Sequence, residues 1–485
     1  MRLQEIVYKI ISQLWKEEKK ESSRSSLSFP CLPARLLIFM HRSDTSLLEI
    51  IKRGEFGSLT NEDAIRHFNS QFGSELKRLQ RATSTIEIGD AAPKGSLGRQ
   101  GLTPSQFLFG EDFPEVNRTL TGLLAMKWLI ANDYDSFSAY QPAAVRLKPD
   151  SFKSFRNLAM ETVSDTNQLL ALIVSFVVAD IGKDPSLAEE VKAKGGKLAA
   201  DENHDEIVYI AATLDLLAPL RLLPPDLKGD VIVGLNVGSK LNIPQLSQAE
   251  NVPGSLQSVL SLRNHERAFA IKYLESVFDV AGAMGHVDSR GAVRLTEPVY
   301  ESFDIGRKAL LDIIAGRMSL RAGYDQILKH QSRILEGEGF KALSTEDPVN
   351  RALLRLLAMG RVAGDEDAKT FEKAFKSLPE PIRQSLVNGL NVDGYEDGEA
   401  VILYYMPALF AEALRNPKDA TQEMRIQVLM SLMRFMARAY GGSKPQAGRR
   451  GSIVERDVSL AKETVRSDAF KADPAILDEL PVHFE

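Results

Sequence analysis

Apolar positions recur at helical spacing along most of the chain. Leu3 to about Lys19 places Ile6, Ile10, Ile11, Leu14 and Trp15 on one face, and from about Val116 onward such faces dominate. Leu120, Leu123, Leu124, Met126, Leu129 and Ile130 form one, and Leu158 to Val178 carries another. The pattern repeats over Glu206–Leu217, His265–Val280, Asp304–Ile327, Asn350–Ala358, Ala400–Leu414 and Thr421–Tyr440. Stop signals punctuate these stretches at Gly182 and Pro185, Pro224-Pro225, Gly282 and Gly285, and Gly441-Gly442. Strand signals are scarce; Asp230 to Gly234 (DVIVG) is one short candidate. The fold expected is all-α: a multi-helix main domain over 45–343 and a C-terminal helical layer over 344–440. A Ser-rich, poorly ordered extension over 1–44 and a Gly- and charge-rich tail over 441–485 flank them. Ile88 to Pro104 reads as a loop, and no period of 20 to 50 residues repeats.

Composition narrows the classes. The chain has 485 residues, 44% of them hydrophobic, with 60 Lys+Arg against 65 Asp+Glu for a net charge of −5. That is ordinary globular composition with ample core material. One cysteine, Cys31, excludes a disulfide scaffold and a zinc site of paired cysteines. A pI near 6.0 removes strong global attraction to phosphate backbones. The longest apolar run, Leu169 to Ala179, is too short to span a membrane, and charges through Met1–Lys20 do not fit a secretory leader. A soluble cytoplasmic protein without a membrane partner is expected; nothing in the sequence speaks to its oligomeric state.

Histidine is rare, with seven in the chain, and three sit beside carboxylates: His204 with Asp205 and Glu206, His265 with Glu266, and His286 near Asp288, with Asp279 on the helix before it. Neutral imidazole and carboxylate together suit Mn, Fe, Zn or Mg. Upstream lies Ala179-Asp180-Ile181-Gly182-Lys183. This string resembles the His-Asp-Ile-Gly-Lys signature of the HD-domain superfamily, all-α metal-dependent phosphohydrolases with an oxygenase branch. The resemblance implies an orthogonal helical bundle and a divalent metal held by Asp180, His204, Asp205, His265, His286 and Asp288. Alanine at 179 stands where the signature has histidine, so one ligand of the family is missing. Lys183, Arg263 and Arg267 are then candidates for a substrate phosphate or carboxylate. Each motif also has a plain structural reading: a helix N-terminus at His204–Glu206, a polar helix end at Asp180, an exposed turn at His265.

A second acidic cluster is Glu111-Asp112-Phe113-Pro114-Glu115. It is similar to the Asp-Asp-x-x-Glu motif of fungal arginine-containing cyclodipeptide synthases, with Glu111 in place of the first Asp. That resemblance implies a tRNA-dependent peptide-bond-forming enzyme of secondary metabolism, in which Glu111, Asp112 and Glu115 orient a cationic group or move protons. The same residues also read as a solvated helix start with Pro114 in its first turn. The basic runs Arg146/Lys148/Lys153/Arg156 and Lys192/Lys194/Lys197 would serve a tRNA user. Arg449-Arg450-Gly451-Ser452 matches an arginine-directed phosphorylation pattern and equally a solvated loop. The expected function is therefore a metal-dependent, phosphohydrolase-like enzyme acting on a small molecule. A tRNA-dependent synthase and a non-catalytic helical binding protein are the alternatives.

Overall fold

The computed structural model describes residues 45–82, 101–199, 203–415 and 421–482. The expected helix in the first 44 residues and most of the 88–104 loop lie outside them. Helices in chain order are α1 (Leu47–Lys52), α2 (Asn61–Gln80), α3 (Pro104–Phe109), α4 (Pro114–Ile130), α5 (Tyr134–Ser138), α6 (Pro149–Thr162), α7 (Thr166–Ala179) and α8 (Pro185–Ala193). There follow α9 (His204–Thr213), α10 (Pro225–Gly238), α11 (Ile243–Leu246), α12 (Glu266–Gly282), α13 (Glu297–Ile314), α14 (Leu320–Gly337), α15 (Pro348–Met359), α16 (Asp365–Ser377) and α17 (Glu380–Asn391). Strand β1 (Asp397–Tyr404), α18 (Met406–Arg415), α19 (Gln422–Ala439), β2 (Arg449–Asp457), α20 (Lys462–Arg466) and α21 (Asp468–Ala472) complete the described chain. The fold is all-α, with one small parallel strand pair.

Helix α12 sits at the centre, packed against α4, α7 and α10. All but Ser175 of the residues in α7 from Leu169 to Val178 are aliphatic or aromatic, and every one of that run is buried. The segment Thr166–Lys183 is long and apolar enough for a membrane by composition alone, but two thirds of it lies inside the protein. Close approach fixes how α12 crosses α4. A Cβ on Gly282 would stand 2.2 Å from the Arg118 carbonyl oxygen, so only glycine lets the two backbones meet there.

The expected C-terminal layer is α15 to α19, joined to the main body by buried arginines. Arg351 is fully buried and donates to Asp325 on α14 at 2.9 Å and to the Leu390 carbonyl at 3.3 Å. Arg355 donates to the carbonyls of Leu390 (2.7 Å) and Asn251 (2.9 Å). Met433 and Met436 on α19 are buried in the core.

Three expectations need correction. Asp230–Gly234 is not a strand; it lies inside α10, which Pro225 starts at its first position and whose neighbours α9 and α12 bury its Val231 face. The strands lie elsewhere. Residues 400–404, expected as the start of a helix, belong to β1. The supposed tail contributes β2, which pairs in parallel from Glu399↔Ser452 to Tyr404↔Asp457. Beyond β2, Val465, Phe470 and Leu477 are buried in the core, and the 474–479 turn packs on α19.

Candidate active site

Two joined cavities open where α4, α7, α9, α12 and the end of β1 meet. The inner chamber has about 230 Å³ and the outer vestibule about 470 Å³; they share His204, Asp205, Gly238, Leu241, Asn242, Tyr404 and Tyr405. The first turns of α4 supply Glu115 and Arg118. The residue ending α7 is Asp180, and the 3₁₀ turn 181–183 adds Lys183. In α12 the residues Lys272, Glu275, Ser276 and Asp279 are spaced three, four and seven apart, so one helix face presents all four. Glu455, Arg456 and Asp457 of β2 form the outer wall with Lys240.

The charges alternate in sign. Lys183 Nζ lies 2.8 Å from Asp180 Oδ1 and 2.9 Å from Glu115 Oε2, and Arg118 reaches Glu115 at 3.3 Å and Asp279 at 3.4 Å. Lys272 pairs with Glu275 at 2.5 Å. His204 Nε2 stands 3.6 Å from Asp205 and 3.9 Å from Asp180, just beyond hydrogen-bond reach. Burial pushes Glu115 and Asp180 up, but the cations beside them outweigh it and hold both carboxyls below their ordinary range. For Asp279 burial prevails over Arg118, and its carboxyl is raised. Burial also lifts Glu275 to about 7, against the pull of Lys272. A carboxyl near neutrality can give or take a proton at working pH.

Local rules place these groups. In the 3₁₀ turn after Asp180, residues three apart eclipse, which sets Lys183 over Asp180. A Cβ on Gly182 would come 2.1 Å from the His204 carbonyl oxygen; glycine there lets α9 start against the turn, with Asn203 capping it. Tyr405 has φ +73°, a conformation disfavoured for a bulky residue. Its backbone N–H donates to the buried Glu250 carboxyl at 2.6 Å, which fixes the Tyr404–Tyr405 pair at the cavity mouth. Burial raises Glu250 to about 8.

Five of the expected site residues line the cavity, Asp180, Lys183, His204, Asp205 and Glu115, and Asp279 joins them from α12. The others do not line it. His265 precedes α12, roughly 10 Å along the axis from Lys272. His286 falls in the turn beyond that helix. Asp288 pairs with Arg290 at 2.6 Å, Arg263 donates to the Ile314 carbonyl, and Arg267 pairs with Asp226 and Asp230. Asp112 accepts from Thr103 and Asn117, and the Glu111 carbonyl accepts from Ser105, so Glu111 and Asp112 shape the α3–α4 turn while Glu115 alone faces the chamber.

The expected Mn, Fe, Zn or Mg centre does not fit these residues. Among the described residues no three His, Cys, Asp or Glu side chains are grouped to hold a metal ion. Lys183 and Arg118 lie between the carboxylates that would have to converge, and Ala179 offers no donor.

A model of a family of unknown function, DUF6829, matches residues 65–477. The chain belongs to this family. The match begins in α2 and ends in the last 3₁₀ turn, so every residue of the DUF6829 chamber and vestibule falls within it. No curated protein and no solved structure matches the chain. Arg118, Lys272, Glu275, Tyr404, Tyr405 and Glu455 were not anticipated from the sequence. The signal for the α12 members was present: a polar stripe at helical spacing in a helix otherwise buried on all sides.

Proposed function

We propose that this DUF6829 chain is a metal-independent acyl-transfer enzyme acting on a small substrate with a positively charged side chain, delivered as an aminoacyl ester of tRNA. One observation carries this reading. Around the joined cavities stand seven carboxyl residues (Glu115, Asp180, Asp205, Glu275, Asp279, Glu455, Asp457) and five Lys or Arg (Arg118, Lys183, Lys240, Lys272, Arg456). The inner cations Arg118, Lys183 and Lys272 are already paired, whereas among the described residues no Lys or Arg pairs with Asp205 or Glu455. Loss of solvent and the Asp205 charge raise Glu455, so a cationic guest would relieve both acids. Tyr404 and Tyr405 add ring faces beside them, favourable to an ammonium or guanidinium.

In this reading the α-amino group of one aminoacyl unit attacks the ester carbonyl of another. The peptide bond forms, the ester C–O bond breaks, and the tRNA hydroxyl leaves; the free α-amine of the resulting dipeptidyl-tRNA then attacks its own ester carbonyl, closing the second peptide bond and releasing the second tRNA hydroxyl. His204, flanked by Asp205 and Asp180, takes the amine proton, and Glu275, near half-protonated at neutral pH, returns one to the leaving oxygen. Glu115 supports the resemblance to arginine-containing cyclodipeptide synthases, because it is the member of that acidic motif that faces the chamber. The exposed Lys192 in the last turn of α8 and Lys194 and Lys197 just beyond it lie beside α9, the helix that opens with His204 and on which α8 packs; they suit a nearby tRNA backbone.

The test is incubation of the purified chain with tRNA charged with arginine, lysine or leucine, with and without RNase. Cyclic dipeptides containing arginine or lysine should form, disappear with RNase, and fall at least 100-fold in His204→Ala. Release of free amino acid without a dipeptide would recast the enzyme as an esterase. Unchanged decay of all three charged tRNAs would refute the proposal.

A further inference from the structure

Strand β2 opens with Arg449-Arg450-Gly451-Ser452, and the fold changes what that string means. It is not a loop but the outer member of a two-stranded sheet, extended, with Arg449, Arg450 and Ser452 all exposed. An extended backbone with basic residues three and two positions before a serine is the form in which arginine-directed kinases take their substrates. Directly across the pair stands Glu399, whose Oε2 is 3.5 Å from Ser452 Oγ. The same two strands carry the cavity mouth: β1 ends in Tyr404, and β2 continues into Glu455, Arg456 and Asp457.

We propose that Ser452 is a phosphorylation site for an arginine-directed serine kinase, and that its phosphate loosens the β1–β2 pair and with it the vestibule wall. In the modification Ser452 Oγ attacks the γ-phosphorus of ATP. The new O–P bond replaces the bond to the β,γ-bridging oxygen, ADP departs with that electron pair, and the hydroxyl proton passes to solvent through the kinase. The product sets nearly two negative charges opposite the Glu399 carboxylate, and like charges in cross-strand register destabilise a sheet. Arg450, two residues back on the same face, offsets part of this, so Glu399 decides the sign.

The experiment treats the full chain with a purified arginine-directed kinase and ATP, followed by peptide mapping and hydrogen exchange. Expected is one phosphate at Ser452, none in Ser452→Ala, and incorporation at least tenfold slower in Arg449→Ala/Arg450→Ala. Amides of 397–404 and 449–457 should then exchange roughly three- to fivefold faster, an effect abolished in phosphorylated Glu399→Gln. Phosphate only at other serines, or unchanged exchange in the phosphorylated chain, would overturn the proposal. Neither readout depends on the acyl-transfer reading.

Discussion

Replacing Lys183 by methionine tests the electrostatic logic of the chamber, because it removes one charge and keeps most of the side-chain volume. The ammonium lies 2.8 Å from Asp180 and 2.9 Å from Glu115, and its side chain is 15% exposed against 19% and 3% for the two acids. Removing one member of such a buried set leaves uncompensated charge, a loss of about 3–5 kcal/mol. Arg118 still reaches Glu115 at 3.3 Å, so the lower end applies, about 3 kcal/mol. Unfolding entropy of roughly 2.1 cal/mol/K per residue gives roughly 1 kcal/mol/K for the 485-residue chain, so the expected fall in Tm is roughly 3 °C.

The sign with pH discriminates further. Asp180 and Glu115 are held below their ordinary range in the native chamber. Their contribution is therefore present above the unfolded values near 4 and is lost as pH falls through the native ones. The deficit of Lys183→Met should be full at pH 7 and shrink below about pH 4, where the bare carboxyls take up protons. Lys183→Met/Asp180→Asn should fall short of the summed single losses by more than 1 kcal/mol, since Asn removes the charge left unpaired. Scanning calorimetry or denaturant titration at pH 7 and about pH 3 reads both quantities. A Tm change below 1 °C, or one independent of pH, would refute the claim that Lys183 neutralises these acids.

Four further outcomes are expected. Gly182→Ala forces a Cβ onto the His204 carbonyl, so it should cost about 2–3 kcal/mol in denaturant titration and lower turnover by moving α9 off the turn. Glu250, raised to about 8, favours the folded state when protonated; that contribution is whole below its unfolded value near 4.5 and is lost as pH rises through 8. Tm of the wild type should thus decline across that window while Glu250→Gln stays flatter, and parallel curves would contradict the assignment. Dialysis against a chelator should leave Tm and product formation unchanged; restoration of lost activity by Mn or Zn would reinstate the metal reading. His265→Ala, whose residue lies before α12 and away from the chamber, should keep product formation within twofold.

What the sequence conveys depends on whether the determinant is local. Helices were legible because each apolar face is written within a few turns. The strands were not. Ala400–Tyr404 is a short apolar run that merges with the apolar face of α18, and the break between them is the φ of Tyr405, held from 155 residues upstream by Glu250. β2 shows no alternation because it is largely exposed on both faces, and its partner is about 50 residues away. The site divides in the same way. Asp180, His204 and Asp205 share the chamber because their strings mark a helix end and a helix start, which the fold abuts through Gly182. His265 and His286 do not line the chamber because they bracket α12, whereas that helix presents its middle and C-terminal half to it.

Lys183 is the sharpest case, since it lines the chamber as its string suggests but pairs there with acids of the same chain. The Asp-Ile-Gly-Lys string suggested an acid free to bind a metal and a base free to bind an anion. Three residues per turn in the 3₁₀ segment align the two side chains, so the acid and the base meet each other first. Glu115, arriving from α4, completes the neutralisation. The cations at the chamber floor are thereby matched internally, whereas at the mouth, which Lys240 and Arg456 also line, Asp205 and Glu455 form no ion pair with a Lys or Arg among the described residues. A local turn geometry thus commits the acid and the base to each other, which is why the guest proposed above is an organic cation rather than an anion or a metal.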